Sequence, residues 1–200
     1  MTVAIVKYNA GNVFSVSMAL RRIGVPFVVS DNPQVLASAS RVIFPGVGEA
    51  GSAMNFLRGR GLDTVIAGLR QPVLGICLGF QLMCQWSEES DTPCLGILSS
   101  QARRFAATSH EAPLKIPHIG WSIISDLSHP IFSGLPPSPY VYFVHSYRVD
   151  PSEHSVAACC YGAPFSAAAA RDNFIGVQFH PEKSGEIGER IIRNFLEWQI

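Results

Sequence analysis

The stretch Pro72-Val73-Leu74-Gly75-Ile76-Cys77-Leu78-Gly79-Phe80-Gln81-Leu82-Met83 constrains the fold more than any other part of the chain. An apolar run leads into a cysteine, a helix-like run follows at once, and glycines stand two residues before and two after the cysteine. This is the layout of a nucleophile elbow, with cysteine in place of serine. A tight strand-to-helix turn crowds the nucleophile's backbone, so its neighbours have to be small. It also sets the sulfur above a helix N-terminus, whose partial positive charge favours thiolate over thiol. A buried core cysteine is the plain alternative. The two glycines count against it, because they weaken both strand and helix for no packing benefit.

The segments around this elbow predict a parallel sheet. Val3–Val6 reads as a first strand, and Tyr8-Asn9-Ala10-Gly11-Asn12 as the loop after it. Val13, Val16, Ala19, Leu20 and Ile23 recur at helical spacing up to Gly24. Phe27–Val29 is a second strand, and Asp31-Asn32-Pro33 opens a short helix. Arg41–Phe44 is a third strand, ending in Pro45-Gly46-Val47-Gly48. Helices follow through Ala53–Leu57 and around Leu62–Leu69. Strands alternating with helices imply a mostly parallel sheet covered on both faces, with ligands gathering at the carboxyl ends of the strands. Both Pro45–Gly48 and Cys77 fall there.

The second half changes character. Short β-like runs crowd together at Leu95–Leu98, Arg103–Phe105, Trp121–Ile124, Tyr140–Tyr147, Ser155–Tyr161, Phe165–Ala170 and Phe174–Phe179. They read as antiparallel strands flanking the parallel core. A closing helix from about Gly185 gathers Ile187, Ile191, Ile192, Phe195 and Leu196 on one apolar face. The α/β reading takes residues 1–200 as one domain, without repeat or linker.

Fifteen basic and fifteen acidic residues balance. No basic stripe points to nucleic acid, and no apolar run approaches the ~18 residues that span a bilayer. The N-terminus lacks the order of a signal peptide, so a cytoplasmic protein is expected. The five cysteines, at 77, 84, 94, 159 and 160, fit neither a disulfide framework nor a zinc site, and no metal or other cofactor is expected. Cys84, Cys94, Cys159 and Cys160 read as reduced and structural.

A cysteine nucleophile needs a base, and the base needs a group that orients it. Gly176-Val177-Gln178-Phe179-His180-Pro181-Glu182 supplies both. Residues two apart in an extended segment point the same way, so His180 and Glu182 can lie side by side. The carboxylate would then fix the imidazole tautomer, the third role in a triad. Read alone, the triplet is equally a His-Pro turn beside a solvated glutamate. Acyl transfer also needs donors for an oxyanion. The N–H groups of Leu78, next to the nucleophile, and of Val47, in a loop with room for a peptide flip, are the candidates. That loop also reads as a plain strand-to-helix turn.

Taken together, the Gly-x-Cys-x-Gly elbow, the Pro-Gly-Val-Gly loop and His180-Pro181-Glu182 resemble the class I (triad) glutamine amidotransferases. Gly11-Asn12 with Ser15-Val16, Gly75–Met83, Ser87-Glu88-Glu89, Pro117–Trp121, Tyr142–Tyr147 and Gly176–Ser184 all fall in family order, and Pro117–Trp121 with His180–Ser184 narrows the resemblance to the glutaminase subunits of imidazole glycerol phosphate synthase. It implies a flavodoxin-like fold, with Cys77 as nucleophile, His180 as base and Glu182 as orienter. It also implies L-glutamine bound among Gly48, Leu78, Gln81, His145, Ser146 and Tyr147. The implied partner is a (β/α)8-barrel cyclase forming a heterodimer and taking ammonia through an internal channel. That cyclase makes imidazole glycerol phosphate and an aminoimidazole carboxamide ribonucleotide. Asn12, Trp121 and Lys183 are the expected interface contacts. The chain departs from the usual pattern at Lys7-Tyr8-Asn9, Ser122 and Phe80; the first two lie where the family meets its partner.

A glutaminase filling residues 1–200 leaves the ammonia to a separate acceptor subunit. The rival readings are the same chemistry serving a paralogous barrel that amidates a nucleotide-activated sugar, a catalytically silent regulatory subunit, and a cysteine peptidase of similar fold.

Overall fold

The structure, a computed structural model, describes residues 2–9, 11–106 and 114–200. Ala10, in the loop expected after the first strand, lies outside them. The first half alternates β1 (Val3–Val6), α1 (Val13–Ile23), β2 (Phe27–Ser30), α2 (Pro33–Ser38), β3 (Arg41–Phe44), α3 (Ala50–Gly59), α4 (Leu62–Ala67), β4 (Val73–Ile76) and α5 (Leu78–Met83). The second half carries β5 (Trp86–Ser87), β6 (Thr92–Pro93), β7 (Gln101–Arg104), β8 (His118–Ile123), β9 (Tyr140–His145), β10 (Tyr147–Val149), β11 (Ser155–Tyr161), β12 (Ala163–Arg171) and β13 (Phe174–Val177). Helix α6 (Gly185–Glu197) closes it.

Local chemistry sets the boundaries. Gly24 ends α1 in the left-handed conformation that glycine adopts without steric cost. The Asn32 side chain accepts from Gln34 N–H at 2.9 Å to start α2. The Glu49 carboxylate caps α3, accepting from Gly51 and Ser52 N–H.

Seven strands form the main sheet in the order β11-β12-β13-β4-β3-β1-β2. From β2 to β13 all pairs are parallel, an order of the flavodoxin-like kind, and β12 and β11 extend the sheet antiparallel. Strands β1, β4 and β13 are buried at every position, as expected of strands covered on both faces. Side chains alternate between two cores: Val3, Ile5, Ile43, Leu74, Ile76, Ile175 and Val177 meet α1 and α6. Ala4, Val6, Val42, Phe44, Val73 and Phe174 meet α2 to α5.

The structure corrects three expectations. Phe174–Phe179 was expected among the antiparallel strands, yet β13 is the last parallel strand, beside β4. Residue composition does not encode strand direction. Leu95–Leu98 is not a strand. Its Leu95, Gly96 and Leu98 N–H groups donate to Leu82, Cys84 and Met83 carbonyls at 2.9 Å, satisfying the otherwise unpaired end of α5. Tyr140–Tyr147 breaks at Ser146, so that β9 pairs with β8 and β10 with β7.

Helix α5 lies close on the sheet because small residues admit it. A Cβ at Gly79 would collide with the Phe44 carbonyl oxygen, and one at Gly176 with the Phe80 ring. A Cβ at Gly75 would likewise crowd Met83 and the Gly79 backbone, so both elbow glycines, which appear costly in sequence, have a packing reason.

Candidate active site

Strands β4 and β13 run parallel with Ile76 opposite Val177, so the residues that leave them emerge at one edge of the sheet. Cys77 follows β4, and its N–H donates to Val177 O at 2.8 Å. Its backbone stands at φ 53°, ψ −106°, strain of about 1–3 kcal/mol for a residue with a side chain. His180 lies three residues past β13, where its N–H donates to Tyr142 O at 2.9 Å.

His180 and Glu182 are both buried, and His180 Nδ1–H donates to Glu182 Oε1 at 2.8 Å. That bond turns Nε2 into the proton-accepting end, and Nε2 has no hydrogen-bond partner. Burial alone would push the imidazole down. The adjoining Cys77 sulfur and then the Glu182 carboxylate outweigh it and hold His180 above its ordinary value. The Cys77 thiol itself donates to Val144 O at 3.8 Å, a resting geometry not yet directed at the imidazole.

A cavity of about 290 Å³ opens on the sulfur. Val47, Gly48, Cys77, Leu78, Gln81, His145, Ser146 and Tyr147 all line it, so the structure brings together every residue expected around a ligand. Gln81 donates its amide hydrogens to Tyr147 O at 2.8 Å and Gln178 Oε1 at 3.1 Å, which leaves its carbonyl oxygen for that ligand. His180 and Glu182 are not on the cavity wall. Glu89, Pro117 and Val144 complete it and were not anticipated as site residues. Among the described residues Glu89 is the only carboxylate on the wall; burial raises its pKa, while Ala50 N–H, donating at 2.8 Å, opposes that. The Ser87-Glu88-Glu89 run was the available signal for it.

The Pro45–Gly48 loop sits with the Gly46 carbonyl accepting from Leu78 N–H at 3.3 Å. The C=O and N–H of one trans peptide point in opposite directions. The Gly46–Val47 unit therefore turns its carbonyl toward the elbow and its N–H away. Of the two expected oxyanion donors, Leu78 N–H is occupied and Val47 N–H is averted in this structure. Tyr8 anchors the start of the loop, its hydroxyl donating to Pro45 O at 2.6 Å. Burial, and then the nearby Cys77, raise the Tyr8 pKa and keep it a donor.

The residues expected at an interface divide into two groups. Trp121 and Lys183 are exposed, and both lie against Tyr142: the Trp121 ring edge-on at 5.9 Å, Lys183 Nζ over the ring at 5.9 Å. Ile119, Trp121 and Ile123 alternate along the outer face of β8, opposite Val144, Tyr142 and Tyr140 of β9, an apolar strip open to solvent. Asn12 instead turns its side chain inward, donating from Nδ2 to Glu182 Oε1 at 3.0 Å. Ser122, expected at the partner face, also points inward and meets His118 Nε2 at 2.8 Å. Successive β8 side chains face opposite ways, so a neighbour of outward Trp121 is inward. Among the described residues, no cluster of His, Cys, Asp and Glu could hold a metal, and no helix is long and apolar enough to cross a membrane.

An elbow cysteine, a buried His–Glu pair and a flavodoxin-like sheet are the parts that the resemblance to class I amidotransferases implies, and comparison with known proteins shows the family. Residues 5–198 match the family described as glutamine amidotransferase class-I. The chain is 56% identical over 197 residues to the imidazole glycerol phosphate synthase subunit HisH of Bacteroides fragilis, covering 98% of this chain and all of that one. It is 48% identical to the HisH subunit of Shewanella sediminis, covering 96% of this chain and 88% of that one. Among solved structures, a glutamine amidotransferase superposes with a TM-score of 0.73 at 19% identity, covering 98% of this chain and 97% of the other. PurLQS from Thermotoga maritima gives 0.69 at 16% identity, with the same coverage; these two show the fold. The chain belongs to the class-I glutamine amidotransferases, within the HisH group: the glutamine-hydrolysing subunits of imidazole glycerol phosphate synthase, in histidine biosynthesis.

Proposed function

We propose that Cys77, His180 and Glu182 form the triad that carries out this glutamine hydrolysis. The observation that supports it most is the parallel register of β4 and β13, which sets an elbow cysteine beside a buried His–Glu pair and above a small cavity. The Cys77 sulfur attacks the carboxamide carbon of glutamine as His180 Nε2 takes the thiol proton. The tetrahedral intermediate collapses to a thioester, and the proton leaves with ammonia. Water, deprotonated by His180, then cleaves the thioester to glutamate and free thiol. The oxyanion is held by Leu78 N–H and, once the Gly46–Val47 peptide turns over, by Val47 N–H. Gln81, Ser146, Tyr147, His145 and Gly48 enclose the substrate, and the Glu89 carboxylate suits its α-ammonium.

The ammonia passes to the cyclase subunit, a (β/α)8 barrel that docks as a heterodimer on the apolar strip of β8 and β9, with Trp121 and Lys183 in contact. Exposed apolar patches rimmed by polar groups mark such surfaces. The complex works in the cytoplasm, a setting that suits five unpaired cysteines. Glutamate release by the chain with its partner, lost on Cys77→Ala while the complex persists, tests the triad. Undiminished hydrolysis by that variant rules it out.

A further inference from the structure

We propose that Gln178 is a positioning residue for the nucleophile, holding the Cys77 sulfur by a side-chain N–H whose direction a buried hydrogen-bond chain dictates. The inference rests on Cys77 being the nucleophile. Gln178 lies between β13 and His180, is completely buried, and places Nε2 at 3.7 Å from Cys77 Sγ.

The oxygen and nitrogen of a side-chain amide have nearly the same shape, so its orientation has to come from its neighbours. Here one fixed group decides it. The Tyr147 carbonyl can only accept. Gln81 therefore presents its NH2 to Tyr147 O, at 2.8 Å, and the second hydrogen of that NH2 goes to Gln178 Oε1 at 3.1 Å. With its oxygen committed to Gln81, Gln178 has its own NH2 left for the sulfur. The opposite orientation would set two NH2 groups face to face and press an oxygen lone pair on a developing thiolate.

The same carbonyl is held from its other side. His145 Nδ1–H donates to Tyr147 O at 2.7 Å, so His145 Nε2 is an acceptor. His118 Nδ1–H fills it at 3.0 Å, and His118 Nε2 in turn accepts from Ser122 O–H at 2.8 Å. Every member has one assignable role only while both rings are neutral. Burial ensures that, pushing His145 down to about 3 and His118 down to about 4. The chain thus runs without a free rotor from the inner side of β8 to the nucleophile. A hydrogen bond to an ionised sulfur is stronger than one to a neutral thiol, so the Gln178 N–H favours the attacking form and restrains its direction.

The test uses the chain with its partner subunit over about pH 7–9.5, because burial raises the pKa of a glutamate at this completely buried position and only its ionised form lacks a donor. Once ionised, Gln178→Glu keeps the acceptor for Gln81 but removes the donor to sulfur. It is expected to leave KM within about twofold and to lower kcat by about ten- to a hundredfold, the fold-change of one hydrogen bond to a charged group. Iodoacetamide labelling of Cys77, which opens on the cavity, is read peptide by peptide because Cys160 is exposed, and is expected to slow in parallel. Gln178→Met removes both roles and is expected to raise KM as well. If either variant fails to fold, the Gln178 side-chain amide proton resonances of the unsubstituted chain decide, since Cys77→Ala is expected to move them. Wild-type kcat and labelling in Gln178→Glu, or resonances unmoved by Cys77→Ala, overturn the proposal while the nucleophile stands. Glutamine hydrolysis surviving in Cys77→Ala overturns the nucleophile, and this inference with it.

Discussion

The Asn12 amide donates to Glu182 Oε1 at 3.0 Å, a contact between residues 170 apart in sequence. Asn12 stands at the N-cap of α1, yet its side chain makes no capping bond there. It serves the carboxylate instead, on the same oxygen that receives His180 Nδ1–H, while Glu182 Oε2 stays buried without a partner. A carboxylate held by two donors on one oxygen cannot rotate without breaking both. Asn12→Ala is therefore expected to lower kcat by about tenfold, the lower range for a hydrogen bond to a charged group, and to leave KM nearly unchanged. Steady-state glutaminase kinetics on the complex, with partner affinity measured separately, check this.

The Gly46 carbonyl on Leu78 N–H makes a resting site that holds neither expected oxyanion donor ready. Loss of one such donor typically costs a factor of about 10²–10³ in kcat. The isolated chain is expected to hydrolyse glutamine at least that much more slowly than the complex turning over its nucleotide substrate. Glutamate release with and without partner and nucleotide measures the ratio, and a fully active free chain would exclude the peptide flip as the switch.

The elbow was legible because its signal is local: two glycines at fixed offsets from a cysteine, and a histidine and glutamate two residues apart. The same holds for much of the cavity wall: Val47, Gly48, Cys77 and Leu78 follow β3 and β4, and His145, Ser146 and Tyr147 sit where β9 gives way to β10. What escaped reading is non-local. Strand direction placed β13 in the parallel core, and only the neighbouring strand reveals it. Asn12 and Ser122 carry no local mark of their bonds to Glu182 and His118, because a polar residue beside a glycine or tryptophan reads the same facing either way. Glu89 sits in a short 3-10 turn, Glu89–Asp91, with no periodicity to announce it.

Gly79 has room for no side chain at all, since its Cβ would meet the backbone of Phe44, which cannot move without displacing β3. Gly79→Ala is expected to destabilise the fold by about 1–3 kcal/mol or more, the usual range for overpacking, and to abolish activity by moving the elbow. Gly61→Ala, where nothing lies within 4 Å, changes only the local backbone preference and is expected to keep activity. Denaturant melts and glutaminase assays of the two variants separate a packing defect from a general intolerance of alanine.

His118 and His145 are held neutral, at about 4 and about 3 against an ordinary 6.5. A histidine whose folded pKa is depressed binds its proton only after unfolding. Its contribution is complete above about pH 6.5 and is lost as pH falls toward the folded value, each ring adding up to one proton to the slope. His180, raised rather than depressed, acts in the opposite sense above pH 6.5 and does not affect this limb. Unfolding free energy is therefore expected to drop between pH 6.5 and about 4, and His118→Gln to make the drop shallower by up to one proton. Urea titrations at several pH values give the slope directly.

Trp121 is 55% exposed at the centre of the strip formed by Ile119, Ile123, Tyr140 and Tyr142. An indole so placed contributes little to the isolated fold, because its outer face touches water. Buried under a partner it becomes the kind of anchor whose truncation costs about 2 kcal/mol or more, roughly thirtyfold in Kd. Trp121→Ala is expected to weaken partner binding by at least that factor and to shift the unfolding midpoint of the free chain only slightly. Lys183→Ala, at the rim of the same strip, is expected to have a smaller effect that fades at high salt, because exposed charges are screened. Titration calorimetry at two salt concentrations distinguishes the two. Unaltered affinity in Trp121→Ala would place the partner on another face.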